Sequence, residues 1–210
     1  MNAAAIRILA VAAVAILGLV GLVVEESRAR AAGAEVTLAM EAVDPRALLS
    51  GHYVAITLRE ALPPDQACPP GTDTTSASPL FPFNQTPTAP LWIALAPMGD
   101  HHAVAGAAKD RATAARFAPL VARGTVSCAP GRKPTAEEPE PLESGSVSLD
   151  LGVNRFYASQ DEARRIDALM ARRGAGDASP VSAILSIGGD GKARLKGLKV
   201  EGRRIELSLF

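Results

Sequence analysis

Ile8 to Val24 forms an uncharged aliphatic run of 17 residues, and beyond it the chain changes to the short apolar–polar alternations of strands. At about 1.5 Å per helical residue this run reaches about 25 Å, close to the hydrocarbon thickness of a bilayer. Ala3 to Ile6 can add a turn, because the stem of Arg7 is long enough to snorkel. The pattern predicts a transmembrane anchor over 8–26, with residues 1–7 before it and one folded domain over 27–210. The amino terminus and Arg7 are positive, whereas Glu25, Glu26, Arg28 and Arg30 nearly cancel. The positive-inside bias then leaves residues 1–7 in the cytoplasm and the domain in the periplasm. A cleaved signal peptide has a shorter apolar region ending in a small-residue site, and the nearest such site, Ala29-Arg30-Ala31, lies among charges. Either version sends the domain to the same side.

Within the domain, Val36, Leu38 and Met40 alternate with polar or small residues, as do Val54, Ile56 and Leu58, so two half-buried strands are expected. Leu91 to Ala96 and His102 to Ala107 flank Pro97-Met98-Gly99-Asp100 and read as a hairpin. Val121 to Cys128 and Val147 to Leu151 add strands. Ser159 with Glu162 is a capping-box pattern; Ile166, Leu169 and Met170 share one face, so a helix is expected near 159–173, with an Asp161–Arg165 pair on its surface. Val181 to Ile187, Lys192 to Val200 and Arg204 to Leu209 read as a three-strand meander turning at Gly188-Gly189-Asp190-Gly191 and near Glu201-Gly202. Long Pro-rich loops are expected near 61–90 and 129–145; eight of the 16 prolines lie between Pro63 and Pro90. Without regular helical crossovers, the sum is an α+β, β-rich fold, with one mostly antiparallel sheet or open barrel.

Charge and cysteine usage narrow the setting. The chain has 22 basic and 22 acidic residues, a net charge of zero that argues against a nucleic-acid partner. Cys68 and Cys128 are the only cysteines; outside the cytoplasm an even pair reads first as a disulfide, with two unpaired thiols as the alternative.

Two stretches resemble a known family. Val43-Asp44-Pro45-Arg46-Ala47-Leu48-Leu49-Ser50-Gly51-His52-Tyr53-Val54-Ala55-Ile56-Thr57-Leu58 is similar to the signature of the GDYXXLXY proteins, with Asp44, Pro45, Arg46, Gly51, His52 and Tyr53 as its motif residues. Gly51 and Tyr53 match; His52 stands where the family has Asp, Ile56 where it has Leu, and Leu58 where it has Tyr. Arg155 to Arg173 and the Asp190-Gly191-Lys192-Ala193 hairpin also fit. The resemblance implies a small, membrane-anchored bacterial protein, often encoded near larger integral membrane proteins, and it transfers no catalytic residue.

No catalytic constellation, metal site or cofactor motif stands out in the residues themselves. His52 is an acid–base candidate because imidazole titrates near neutrality. His101 and His102 could ligate a metal with Asp100, although neighbours on an extended strand point to opposite faces. Gly188 to Lys192 lacks the spacing of a phosphate loop and reads as a hairpin turn. Lys192, Arg194 and Lys196 line one face, read as solvated or, alternatively, as touching anionic lipid. The leading expectation is a non-enzymatic accessory or interaction domain lying against membrane lipid and an integral membrane partner. Its rival is a tethered hydrolase or metal enzyme using His52 or His101/His102.

Overall fold

A computed structural model describes residues 3–41, 53–63, 66–72, 89–131, 144–171 and 179–206. The first element, α1 (Ala3–Ala32), is a continuous helix. It outruns the apolar segment because Glu25 to Ala32 is made almost entirely of strong helix formers, and it ends at Gly33. Residues 7–32 form a helix long and apolar enough to cross a membrane, with none of its apolar window buried against the rest of the molecule.

The strands follow as β1 (Ala34–Glu41), β2 (Tyr53–Ala55), β3 (Thr57–Leu62), β4 (Leu91–Met98) and β5 (His101–Ala108). After a short helix, α2 (Arg111–Ala114), come β6 (Leu120–Ala129), β7 (Gly145–Asp150) and β8 (Arg155–Tyr157). Helix α3 (Gln160–Ala171) leads into β9 (Val181–Ile187), β10 (Ala193–Val200) and β11 (Arg203–Glu206). Nine of these strands make one antiparallel sheet in the order β11-β10-β9-β1-β3-β7-β6-β4-β5, and β2 with β8 forms a separate two-stranded sheet. The large sheet curls so that β5 returns towards β1 without pairing with it, an open barrel from which β9, β10 and β11 extend. Inside lie Leu38, Met40, Leu58, Ile93, Leu95 and Val147, every one fully buried. The alternation in β1, with Val36, Leu38 and Met40 inward, is what places it at the centre.

One expected strand divides in two. Residues 53–59 alternate without interruption, yet the Ile56 N–H donates to the Asn154 carbonyl at 3.0 Å instead of to a strand ladder. The chain bends there and changes sheets, while Val54, Ile56 and Leu58 all stay buried. In α3, the Glu162 N–H donates to Ser159 Oγ at 3.3 Å, which caps the helix. Arg165 does not pair with Asp161 among the described residues; it reaches Glu201 in the β10–β11 turn at 3.5 Å. Asp110 caps α2 by accepting from the Thr113 N–H at 2.9 Å, and α2 covers a small alanine-rich core of Ala94, Ala114, Ala118 and Val121.

Of the Pro-rich segments, 64–65, 73–88 and 132–143 lie outside the described residues, and 66–72 lies along β5, where the Ala107 N–H donates to the Pro70 carbonyl at 2.8 Å. Cys68 in this segment is disulfide-bonded to Cys128 on β6, with a Cα–Cα distance of 5.9 Å across a sequence separation of 60. Constraining a loop of that length removes unfolded-chain entropy equivalent to about 4 kcal/mol. Reduction of the full chain is therefore expected to lower its urea-unfolding free energy by about that amount. A loss smaller than about 1 kcal/mol would mean that the Pro-rich segment is already restrained when unfolded.

Candidate functional site

Charged groups from α1, the β9–β10 turn and β10 meet where α1 joins the sheet. Gly33 starts β1 so close to β9 that a Cβ there would fall on Ser186 Oγ and the Ile187 backbone, so any larger residue pushes the helix off the sheet. Asp190 sits in the β9–β10 turn, where its carboxylate accepts from the Lys192 N–H at 3.0 Å and from Arg194 at 3.3 Å. Arg194, only 9% exposed, also donates through Nε to Glu26 on α1 at 2.9 Å. Its guanidinium is held above its ordinary pKa by the Asp190 carboxylate and then by Glu26, while the Lys192 N–H and Arg194 hold Asp190 below its own. Lys192 lies 3.6 Å from Glu26, and Lys196 bonds Glu35 at 2.7 Å. The basic face expected over 192–196 is therefore neutralised residue by residue by acids from α1, β1 and the turn. Lys192 stays largely exposed to solvent, whereas Arg194 is buried among these acids.

The turn is itself buttressed from across the barrel. Gly191 has a φ of 78° and lies against the Trp92 ring, with no room for a side chain. The guanidiniums of Arg111 and Arg123 each lie over the Trp92 ring, 5.5 and 5.6 Å from its centroid. The Arg123 N–H donates to the Gly191 carbonyl at 2.8 Å, and Arg111 donates to the Gly189 carbonyl at 2.9 Å.

Beside this junction an open cleft of about 670 Å³ separates the last turns of α1 from the domain. Its surface is largely apolar, with Leu22, Val23, Val153 and Leu195 among the residues that line it. Arg30, Arg155 and Tyr157 line it further along, and Tyr157 is 61% exposed. Arg155 and Tyr157 belong to β8, whose partner is β2: Tyr53 pairs with Tyr157 and Ala55 with Arg155. The strand that begins at Tyr53 thus forms the backing of the cleft. Asp44, Pro45, Arg46, Gly51 and His52 lie outside the described residues.

The chain matches the family model described as "GDYXXLXY protein" over residues 15–198. It belongs to the GDYXXLXY protein family. No curated protein and no solved structure matches it. In this GDYXXLXY protein the matched region takes in residues 15–24 of the apolar run, the helix–sheet junction and the hairpin turn at Asp190. The junction was the part hardest to see in advance. Its signal was the pair Glu25-Glu26 directly after the apolar run, with Arg194 168 residues away.

Two histidines of the GDYXXLXY protein, His101 and His102, lie among the described residues. His101 Nδ1 is 3.3 Å from Asp100, whereas His102 Nδ1 accepts from the Thr37 N–H at 3.4 Å, so the two rings engage different partners. The Val104 N–H donates to Glu60 at 3.4 Å, and Lys199 bonds Asp100 at 3.0 Å. The His102–Thr37 and Glu60–Val104 contacts bridge the open seam between β5, β1 and β3. Burial pushes the Glu60 carboxyl up, and burial followed by the proximity of His101 holds His102 down. Among the described residues no group of three or more His, Cys, Asp or Glu side chains is placed to hold a metal ion.

On β1, Arg204 from the edge strand β11 and then Lys196 from β10 hold the Glu35 carboxyl down to about 2, from an ordinary value of 4.5. Between those values the unfolded chain binds more protons than the folded one, so stability falls as pH drops through that window. Glu35→Gln is expected to lose stability at neutral pH and to flatten the acid limb of a melting-temperature profile between pH 4.5 and about 2. An unchanged acid limb would show that the Glu35–Arg204 contact does not persist in solution.

Proposed function

We propose that this GDYXXLXY protein is a single-pass membrane protein whose domain works outside the cytoplasm as a non-enzymatic accessory to an integral membrane partner. The observation that carries this reading is the continuity of α1. An exposed apolar helix runs unbroken into a charged final segment that is bonded to the sheet through Glu26 and Arg194. An exposed apolar face of that size is stable only in lipid or against another apolar surface. The Cys68–Cys128 disulfide supports an oxidising compartment, and the positive amino terminus supports a cytoplasmic start. Tethering confines the domain to a thin layer over the membrane, where weak contacts with a neighbour suffice.

The full chain, purified from membranes in mild detergent, is expected to bring an integral membrane protein with it. A periplasm-dependent reporter fused after Phe210 is expected to be active. Recovery of the chain alone contradicts the accessory role, and a reporter active only in the cytoplasm contradicts the topology.

A further inference from the structure

We propose that the surface around Trp92 on β4, with the cations of α2 and β6 beside it, is a docking face for anionic phospholipid headgroups of the bilayer that α1 crosses. The inference rests on the membrane-anchor reading above and adds a lipid contact to it. Glu26 lies two residues past Val24, the end of the apolar run, a rise of about 3 Å along the helix. Arg194 and Lys192 meet Glu26, and the same Arg194 holds Asp190 in the β9–β10 turn. With α1 across a bilayer, that turn stands at the headgroup zone, which is about 5–8 Å deep on each side. The turn is gripped from its other side too. Arg111 donates to the Gly189 carbonyl, the Arg123 N–H donates to the Gly191 carbonyl, and Gly191 lies against the Trp92 ring. Trp92 and α2 meet on one face of β4, over the small alanine-rich core. The ring and its cations are therefore within a side chain's reach of the turn, at the membrane end of the domain.

Charge selects the occupant. Lys109, Arg111, Arg116 and Arg123 are all exposed, and none has an acid partner among the described residues. Asp110, the acid that lies among them in sequence, is turned to the Thr113 N–H as the cap of α2. In the neighbouring stretch Lys192, Arg194, Lys196 and Lys199 each meet an acid, so the positive excess belongs to the Trp92 face. Arg111 and Arg123 are held over the ring, and the Arg123 guanidinium makes no hydrogen bond among the described residues. Guanidinium donors match phosphate oxygens in geometry as well as charge. Tryptophan is favoured at the depth of the headgroups, and Phe117, 40% exposed just after α2, adds a second aromatic ring. A free phosphate would leave both rings without a contact. An acidic soluble protein would have to displace headgroups that α1 already brings to this face.

Because α1 and the sheet are tied, docking is a tilt of the whole body, and Trp92, the chain's single tryptophan, reports it. The test uses the full chain in nanodiscs doped with phosphatidylcholine that carries a nitroxide on its headgroup. The host lipid is phosphatidylcholine alone or an equal mixture with phosphatidylglycerol. Quenching of Trp92 fluorescence gives the ratio of docked to undocked chain, which phosphatidylglycerol is expected to raise. Lys109→Gln and Arg116→Gln, at positions that do not lie over the ring, are each expected to lower the raised ratio about fivefold, the contribution of one juxtamembrane basic residue. Arg116→Lys is expected to keep it, and 1 M salt to abolish it, since the screening length is then about 3 Å. A non-reducing gel checks that each variant keeps its disulfide. Equal quenching in the two hosts overturns the proposal, as does a phosphatidylglycerol effect that both variants leave intact. Displacement by millimolar inorganic phosphate at matched ionic strength, or a Trp92 shielded only by a copurified protein, also overturns it. Alkaline carbonate extraction separates the two readings. A chain that stays in the membrane with no phosphatidylglycerol effect refutes the docking face alone, and a chain that leaves the membrane refutes the anchor and the face together.

Discussion

Arg194 is the residue on which the arrangement turns. A guanidinium withdrawn from water is costly unless acids meet it at good geometry, and here one acid comes from the β9–β10 turn and the other from α1. The same charge therefore satisfies a buried requirement of the sheet and fastens the helix to it. Gly33 makes the contact possible by letting β1 leave the helix in close contact with β9, and the Trp92 platform keeps the turn from drifting. With Arg194 unpaired, the helix would keep the Gly33 bend, the longer Lys192–Glu26 contact and its apolar contacts as connections to the domain.

The open barrel gives His102 and Glu60 an architectural role. A curled sheet whose ends approach without a ladder leaves backbone donors along its seam, and buried donors need partners. The side chains of His102 and Glu60 supply them for Thr37 and Val104, and Asp100 links the β4–β5 turn to Lys199 on β10. The opposite edge is protected differently. There β11 carries Arg203, Arg204 and Glu206 outward, which discourages pairing with another chain.

Local periodicity made most elements legible. The alternation at Val36–Met40, the hairpin around Gly99-Asp100, the capped helix at Ser159 and the final meander all follow from near-neighbour patterns. Long-range pairings were not legible. The partners of β1 are β9 and β3, and β9 lies more than 140 residues away; alternation alone does not select among inward-facing strands. The bend at Ile56 was invisible because burial alternates straight through it, and only the Asn154 carbonyl reveals it. Strand β8 is three residues long and too short to show a period. The basic residues at 192–196 were read without the acids that meet them, since Glu26 and Glu35 come from the far end of the chain.

The central claim is that α1 and the sheet move as one body, so that the domain keeps a fixed pose relative to the helix. The most direct measurement is the distance distribution between nitroxides at Leu17→Cys and Lys109→Cys in nanodiscs, read by pulsed electron resonance. The disulfide keeps Cys68 and Cys128 out of the labelling reaction. A single narrow distribution that broadens with Arg194→Gln is the expected result. A distribution already broad in the labelled chain, and indifferent to Arg194, would contradict the claim.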